Sequence, residues 1–331
     1  MQVQIIRDNG GPEVFEAAEL DQPQPGPGQV LVEIAASSVN TADLMARSMG
    51  PVVDFIPKPP AVLGMDFAGT IKALGEGVEG FAVGDEVYGC AGGVAHHQGA
   101  LAEYLAADVR LIARKPERLS MVEAAALPLV SITAYEALFD RMGLGEGDKV
   151  LIHGGAGGVG HVAVQLARSV GAEVFATESG ELRMTTLTKL GATPIDYRSE
   201  TVEDYVARHT GGAGFDKIFD TVGGPNISTS MAAAKLNGQV ATTVSIGEVD
   251  LTMAHLRGAT LHVIYMLIPL IHGHGAARHG EILAEVATLV DAGKLMPIVD
   301  SVFPLAKAAD AHRKLESKTA LGKVVVEVAH S

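Results

Sequence analysis

The segment Leu151-Ile-His-Gly-Gly-Ala-Gly-Gly-Val-Gly160 carries the clearest chemical signal in this chain. Gly155, Gly157 and Gly160 fit G-x-G-x-x-G. The run follows an apolar strand-like stretch, Lys149–His153, and opens a helical one, Val159–Val170. In that setting glycines let the backbone turn sharply and approach a pyrophosphate with no Cβ in the way. Unused N–H groups at the helix start then face the anion. The pattern alone is weak, and a glycine-rich turn without a ligand is the plain alternative. The flanking strand, helix and second strand favour a dinucleotide.

The next strand bears on which dinucleotide. NAD sites carry Asp or Glu at its end, about twenty residues on, to bind ribose hydroxyls. Here the strand ends Ala176-Thr177-Glu178-Ser179, with uncharged Thr177 in the expected place and Glu178 one residue later. Neighbours on a strand point opposite ways, which allows Glu178 to face away. Arg183, Tyr197 and Ser179 can then surround a 2′-phosphate. NADPH is the expected cofactor. Two readings stand against it: Arg183 as a solvated helix residue, and Glu178 as a selector of NADH.

Histidines are the other titratable candidates. His96-His97 sits in a glycine-rich stretch, and His272, His274 and His279 follow one another in a later one. Adjacent loop histidines rarely chelate one ion, and no helical H-x-x-x-H occurs, so ordinary loop histidines are expected and no metal. A proton relay through His96 or His97 rests only on titration near neutrality. The single cysteine, Cys90, excludes an intramolecular disulfide and any zinc site built from several thiolates.

These residues need a scaffold, and composition bounds it. The chain has 331 residues, too many for one ordinary core, so two domains are expected. A net charge of −14 argues against nucleic acid and anionic membrane as partners. The apolar window Thr260–Ile271 is too short to span a bilayer. Met1–Arg7 has no basic stretch leading into an apolar run, so no signal peptide is expected and the cytoplasm is the default.

The first third reads as β. Gln2–Ile6, Gln29–Ala35, Phe67–Leu74, Asp85–Tyr88 and Leu101–Leu105 are short runs divided by Gly and Pro, consistent with an antiparallel barrel or sandwich. Ser120-Met-Val-Glu123 is a capping box, and Ile132–Phe139 is helical. Strands and helices then alternate. The strands are Lys149–His153, Glu173–Thr177, Pro194–Tyr197, Phe215–Thr221, Gln239–Val244 and Thr260–Tyr265; a helix spans Ser228–Leu236. Such alternation implies a doubly wound parallel sheet of Rossmann type. Gly280–Ala292 is an amphipathic helix, followed by strand, helix and strand at Ile298–Phe303, Leu305–Leu315 and Lys323–Val328. This tail is expected to return to the first domain, giving one domain from 1–123 and 267–331 and a dinucleotide-binding domain from 124–266.

At this point the chain resembles the medium-chain dehydrogenase/reductase superfamily, and within it the zinc-free quinone oxidoreductase (zeta-crystallin-like) group. The likeness rests on segments in order: Gly26-Pro-Gly-Gln-Val-Leu-Val-Glu33, Val39-Asn-Thr-Ala-Asp43 with Arg47, and Leu63-Gly-Met-Asp-Phe-Ala-Gly69. Ile132-Thr-Ala-Tyr-Glu136 and the glycine loop come next. Gly191-Ala-Thr-Pro-Ile-Asp-Tyr197, Phe219-Asp-Thr-Val-Gly-Gly224 and Gly322-Lys-Val324 complete the set. The resemblance implies a GroES-like N-terminal β-domain. It implies that Asn40 and Thr133 border the nicotinamide and that Gly157, Gly158 and Val159 hold the pyrophosphate. Val222 and Ser245 would follow strands beneath the nicotinamide half, and Lys318 would reach the cofactor from the C-terminal segment. Asp66 stands where relatives carry a site glutamate. A homodimer through Thr260–Tyr265, or a tetramer, is also implied.

Zinc relatives have Cys in place of Asn40 and His-Glu in place of Met65-Asp66; neither Asn nor Met is a credible zinc ligand. Met45 replaces a family tyrosine. Without zinc, alcohol oxidation lacks its Lewis acid. A quinone, or an alkene activated by a carbonyl, takes hydride more easily because the incoming charge comes to rest on an oxygen. The expected activity is NADPH-dependent reduction of such a small molecule, with Asn40, Thr133 and Asp66 as the catalytic set. A zinc-type alcohol dehydrogenase with unusual ligands and a non-catalytic NADPH-binding protein are the rivals. The substrate itself is not legible. Its pocket is expected around Met45, Ile56, Ala91–Gln98 and Met266–Gly275, with Val263, Ile264, Met266, Leu267, Ile268 and Leu270 as apolar wall or plain core.

Overall fold

Short β-branched runs closed by Gly and Pro turns form strands, and longer amphipathic runs form the helices between them. The computed structural model describes residues 1–49 and 56–329. The N-terminal segment supplies β1 (Gln2–Ile6), β2 (Phe15–Glu19), β3 (Gln29–Val39), β4 (Ala61–Val62), β5 (Asp66–Leu74), β6 (Glu86–Cys90), β7 (Tyr104–Asp108) and β8 (Ile112–Arg114). The middle supplies β9 (Lys149–His153), β10 (Glu173–Glu178), β11 (Thr193–Asp196), β12 (Phe215–Asp220), β13 (Ala234–Thr242) and β14 (Thr260–Val263). The C-terminal return adds β15 (Val299–Pro304) and β16 (Lys323–Glu327).

Two compact units result, Met1–Ile132 with Leu267–Ser331, and Thr133–Met266. In the first, a sheet ordered β15-β16-β3-β5-β6-β8, with β7 also on β3, lies alongside a sheet ordered β2-β1-β4. The tail completes this unit: β16 runs antiparallel to β3, from Val324 opposite Val39 to Glu327 opposite Ala36. Its core includes Val3, Ile6, Val39, Leu63, Leu101, Val324 and Val326, all nearly sealed from solvent.

The second unit is a parallel sheet ordered β11-β10-β9-β12-β13-β14. The order reverses beside β9, so the C-terminal ends of β9 and β12 border the crevice where such sheets bind ligands. Leu151 and Phe175 point to one face of the sheet, in a core with Tyr205, Phe215, Ile227 and Met231. On the other face, buried Val162 and Leu166 come from the helix Gly158–Ser169.

Several boundaries differ from expectation. Strand β10 runs one residue further, through Glu178. The expected helix Ser228–Leu236 is Asn226–Ala233, and Ala234–Leu236 already belong to β13, because pairing with β12 overrides local preference. The expected strand Leu101–Leu105 lies further on, at Tyr104–Asp108, where it finds β3 as partner. The helix expected at Ile132–Phe139 starts at Pro128, a residue suited to a first helical turn, and passes at Glu136 into a π-helix to Arg141. Strand β2, Phe-Glu-Ala-Ala-Glu, has weak β propensity and exists through its ladder with β1.

Candidate functional site

The turn after β9 is built so that nothing larger than glycine fits at several points. Gly154 sits at φ +72°, and a Cβ there would lie 2.8 Å from the Thr221 hydroxyl. A Cβ on Gly155 would lie 2.7 Å from that of Ala176, and one on Gly160 only 2.1 Å from the Gly154 carbonyl oxygen. The N–H groups of Gly154 and Gly155 both donate to the Thr177 carbonyl, at 3.1 and 3.3 Å, which ties the turn to the end of β10. Gly157 caps the helix Gly158–Ser169, and its carbonyl accepts from His161 N–H at 3.1 Å. Helix geometry leaves the N–H groups of Gly158, Val159 and Gly160 without partners inside the helix. Gly157, Gly158 and Val159 are half-buried, so an anion can reach this end. The residues fit a dinucleotide pyrophosphate.

The ends of β9, β10 and β12 line a cavity of about 450 Å³, with His153, Thr177, Glu178, Tyr197, Tyr205 and Val222 among its walls. Here one expectation is corrected. Glu178 does not face away from the loop: because β10 continues through it, alternation sets Thr177 with Phe175 and Glu178 with Ala176, on the glycine-loop side. Its Oε1 accepts the Ala156 N–H at 3.0 Å, and Arg183 Nη1 lies 3.5 Å from the same oxygen. Thr177 is buried, 3.0 Å from His153 Nδ1 through its hydroxyl. Ser179 Oγ is 3.4 Å from the Tyr197 hydroxyl. Ser179 and then Arg198 hold the Tyr197 phenol below its usual pKa. Arg198, which sequence reasoning passed over, stands with its guanidinium 6.0 Å from the Tyr197 ring centre. Its signal was the adjacency Tyr197-Arg198. Burial lowers the His153 pKa against the pull of Asp220.

In the first unit, Asn40 and Asp66 meet in a sealed polar cluster. Asp66 is wholly buried. Its Oδ2 accepts from Ser38 Oγ and Asn40 Nδ2, both at 2.8 Å, and its Oδ1 accepts the Leu129 N–H at 2.8 Å. The Lys323 ammonium lies 3.5 Å from Asp66 Oδ2; it donates to Val39 O at 3.2 Å and to Asn40 Oδ1. The Asn40 carboxamide is therefore held from both ends. Lys323 was legible only as part of a family marker, yet it is the counter-charge of the whole cluster. A divalent ion held by Asn40 and Asp66 would sit against this ammonium, and the donor set does not fit one.

Asp43 completes the cluster: its Oδ2 accepts the Asn40 N–H at 2.9 Å, while Oδ1 is buried without a partner among the described residues. Burial first, then Asp66, raises its pKa from 3.8 to about 7. The folded state thus holds the Asp43 proton more tightly than the unfolded chain. This group's contribution to stability is complete below the unfolded pKa and is lost as pH rises through about 7. In Asp43→Asn, which keeps an acceptor for Asn40, melting temperature should decline less than in wild type between about pH 5 and pH 8. Parallel melting profiles for the two proteins would contradict this.

The remaining expected residues are dispersed. Thr133 is buried within the helix Pro128–Tyr135. Val222 is exposed on the cavity wall, its N–H bound to Asp220 Oδ1 at 3.0 Å. Ser245 is half-buried three residues past β13. Lys318 is exposed, in a left-handed turn before β16. His97 Nε2 lies 3.1 Å from the Leu270 carbonyl, and its ring stacks on His96. Among the described residues no group of three or more His, Cys, Asp or Glu could hold a metal. Ile264, Met266, Leu267 and Leu270 are buried, whereas Val263 and Ile268 are exposed.

Comparison with known proteins agrees with this architecture. The alcohol dehydrogenase GroES-like domain model matches residues 26–117, and the zinc-binding dehydrogenase model matches residues 190–326. The chain is 33% identical over 98% of its length to a mycocerosic acid synthase-like polyketide synthase of Mycobacterium tuberculosis, but spans only 15% of that protein. It is 35% identical to 2-methylene-furan-3-one reductase of Solanum lycopersicum, over 90% of this chain and 71% of that one. A crystal structure of an alcohol dehydrogenase superfamily protein from Novosphingobium aromaticivorans matches at a TM-score of 0.95 and 41% identity, covering 99% of this chain and all of the other. Escherichia coli quinone oxidoreductase, solved with NADPH, matches at 0.87 and 25%, over 99% and 100%. A GroES-like antiparallel domain and a parallel sheet with a glycine cradle, together with a relative 35% identical over 90% of this chain and 71% of its own, place this protein in the medium-chain dehydrogenase/reductase superfamily of oxidoreductases.

Proposed function

We propose that this chain is a nicotinamide-dependent reductase that delivers hydride to a quinone or to an alkene conjugated with a carbonyl, using NADPH and no zinc. The glycine cradle, whose Gly154 lines the second unit's cavity, carries this reading. Arg183, Ser179 and Tyr197, with Arg198, supply donors suited to a 2′-phosphate. The names of two relatives, a 2-methylene-furan-3-one reductase and a quinone oxidoreductase solved with NADPH, support the substrate class and the cofactor. The absence of a fitting zinc donor set at Asn40 and Asp66 supports an acceptor that needs no Lewis acid.

When bound, the nicotinamide supplies the hydride. The backbone of Gly157–Gly160 binds the pyrophosphate, and Arg183, Ser179 and Tyr197 bind the 2′-phosphate. Lys323 and Asp66 hold the Asn40 carboxamide in one orientation. Thr133 completes the set that positions the reactants. Loss of NADPH absorbance with 1,4-benzoquinone and with a simple enone is the direct test. No turnover of either, together with zinc-dependent oxidation of an alcohol, would end the proposal.

Arg183→Ala should weaken NADPH binding at least about tenfold, since a charge-assisted hydrogen bond contributes roughly 1.5–3 kcal/mol, and should leave NADH binding unchanged. Equal loss for both would contradict the 2′-phosphate assignment. We also propose a homodimer through β14. That strand ends the sheet, and its last residue Val263 and the nearby Tyr265 are exposed. Sedimentation at a monomer's rate across micromolar concentrations would refute it.

A further inference from the structure

Glu178 occupies the strand-end position at which NAD sites place an acid for the ribose hydroxyls. Its geometry assigns it other work. The side chain is only 10% exposed. Its Oε1 accepts the N–H of Ala156, the residue between the first two glycines of the cradle. Ala156 is fully buried, so this donor needs a partner inside the protein. The neighbouring N–H groups are tied by backbone: Gly154 and Gly155 donate to Thr177 O, and Gly157 donates to Gly154 O at 3.0 Å. Glu178 thus makes the side-chain tie at the centre of the turn. A carboxylate swung out to a ribose would leave the Ala156 donor buried and unpaired.

We infer that Glu178 is a positioning residue that braces the glycine loop through Ala156 and does not choose between NADH and NADPH. The inference rests on the dinucleotide reading above. Arg183, 3.5 Å away, balances the carboxylate charge, so a 2′-phosphate is not repelled from this side of the cavity. Removing the brace loosens the loop on which any dinucleotide depends, whatever its ribose carries.

Two variants separate the roles. Glu178→Ala removes the acceptor; Glu178→Gln removes the charge and keeps an acceptor for Ala156. Equilibrium binding of NADPH and of NADH is measured for each, along with amide hydrogen exchange over residues 154–158 without ligand. With Glu178→Ala, both dinucleotides should bind about tenfold more weakly, their affinity ratio should stay within about threefold of wild type, and loop exchange should accelerate. With Glu178→Gln, affinities and exchange should stay near wild type. A shift of about tenfold or more toward NADPH in both variants would overturn the inference and make Glu178 a ribose reader. Unchanged loop exchange in Glu178→Ala would overturn the brace. Wild-type protein binding neither dinucleotide would overturn the reading beneath it, a failure the ligand-free exchange measurement keeps distinct.

Discussion

Lys323→Met should melt on the order of 10 °C below wild type, a loss of roughly 3–5 kcal/mol. The ammonium is buried, and so is the Asp66 carboxylate beside it. Burial lowers the Lys323 pKa, and the charges of Asp66 and Asp43 oppose that shift. Taking the cation away leaves the Asp66 carboxylate in a sealed site with neutral donors, among them Ser38, Asn40 and the Leu129 N–H. An uncompensated buried charge destabilises far more than an intact buried pair stabilises. Adding Asp66→Asn to Lys323→Met should therefore restore most of the loss, because the amide keeps an acceptor for the Leu129 N–H and carries no charge. The single variant should also lose activity beyond its loss of folded protein, since Lys323 holds the oxygen end of the Asn40 carboxamide. A Lys323→Met protein that melts with wild type would show that the cluster is solvated or neutral.

Gly160→Ala is the second large effect. The added Cβ would stand 2.1 Å from the Gly154 oxygen and 2.7 Å from the Gly155 Cα, both rigid backbone. Relief requires the start of the helix Gly158–Ser169 to move off the turn. We expect at least about a tenfold loss of NADPH affinity and a destabilisation of roughly 1–3 kcal/mol from overpacking. Gly157→Ala is the informative partner. Its Cβ would meet only the Gly154 oxygen, at 3.3 Å, which a small shift accommodates. Gly157→Ala should therefore melt near wild type while still losing affinity, since its methyl group intrudes where the pyrophosphate approaches. Isothermal titration and thermal melts on the two variants would separate crowding within the turn from crowding of the ligand. NADPH binding to Gly160→Ala at wild-type strength would remove the cradle from the site.

Local pattern carried much of the architecture. Short β-branched runs divided by Gly and Pro marked β1, β3, β5 and β6. The alternation of apolar strands with amphipathic helices marked the parallel sheet. The ordered set of short motifs pointed to the superfamily. Errors gathered where partners rather than neighbours decide: β2 exists because β1 pairs with it, and β13 begins at Ala234 because β12 lies beside it.

The sequence by itself determined the glycine loop, its strand and its helix, because backbone room and chain direction at a βα turn are set by adjacent residues. Tertiary structure alone decided the direction of Glu178, since a strand's faces depend on where pairing ends, and β10 keeps its pairing through that residue. It alone decided that Lys323 answers Asp66 across more than 250 positions of chain. Charges separated that far in sequence meet only when β16 closes on β3, and no local periodicity encodes such a meeting.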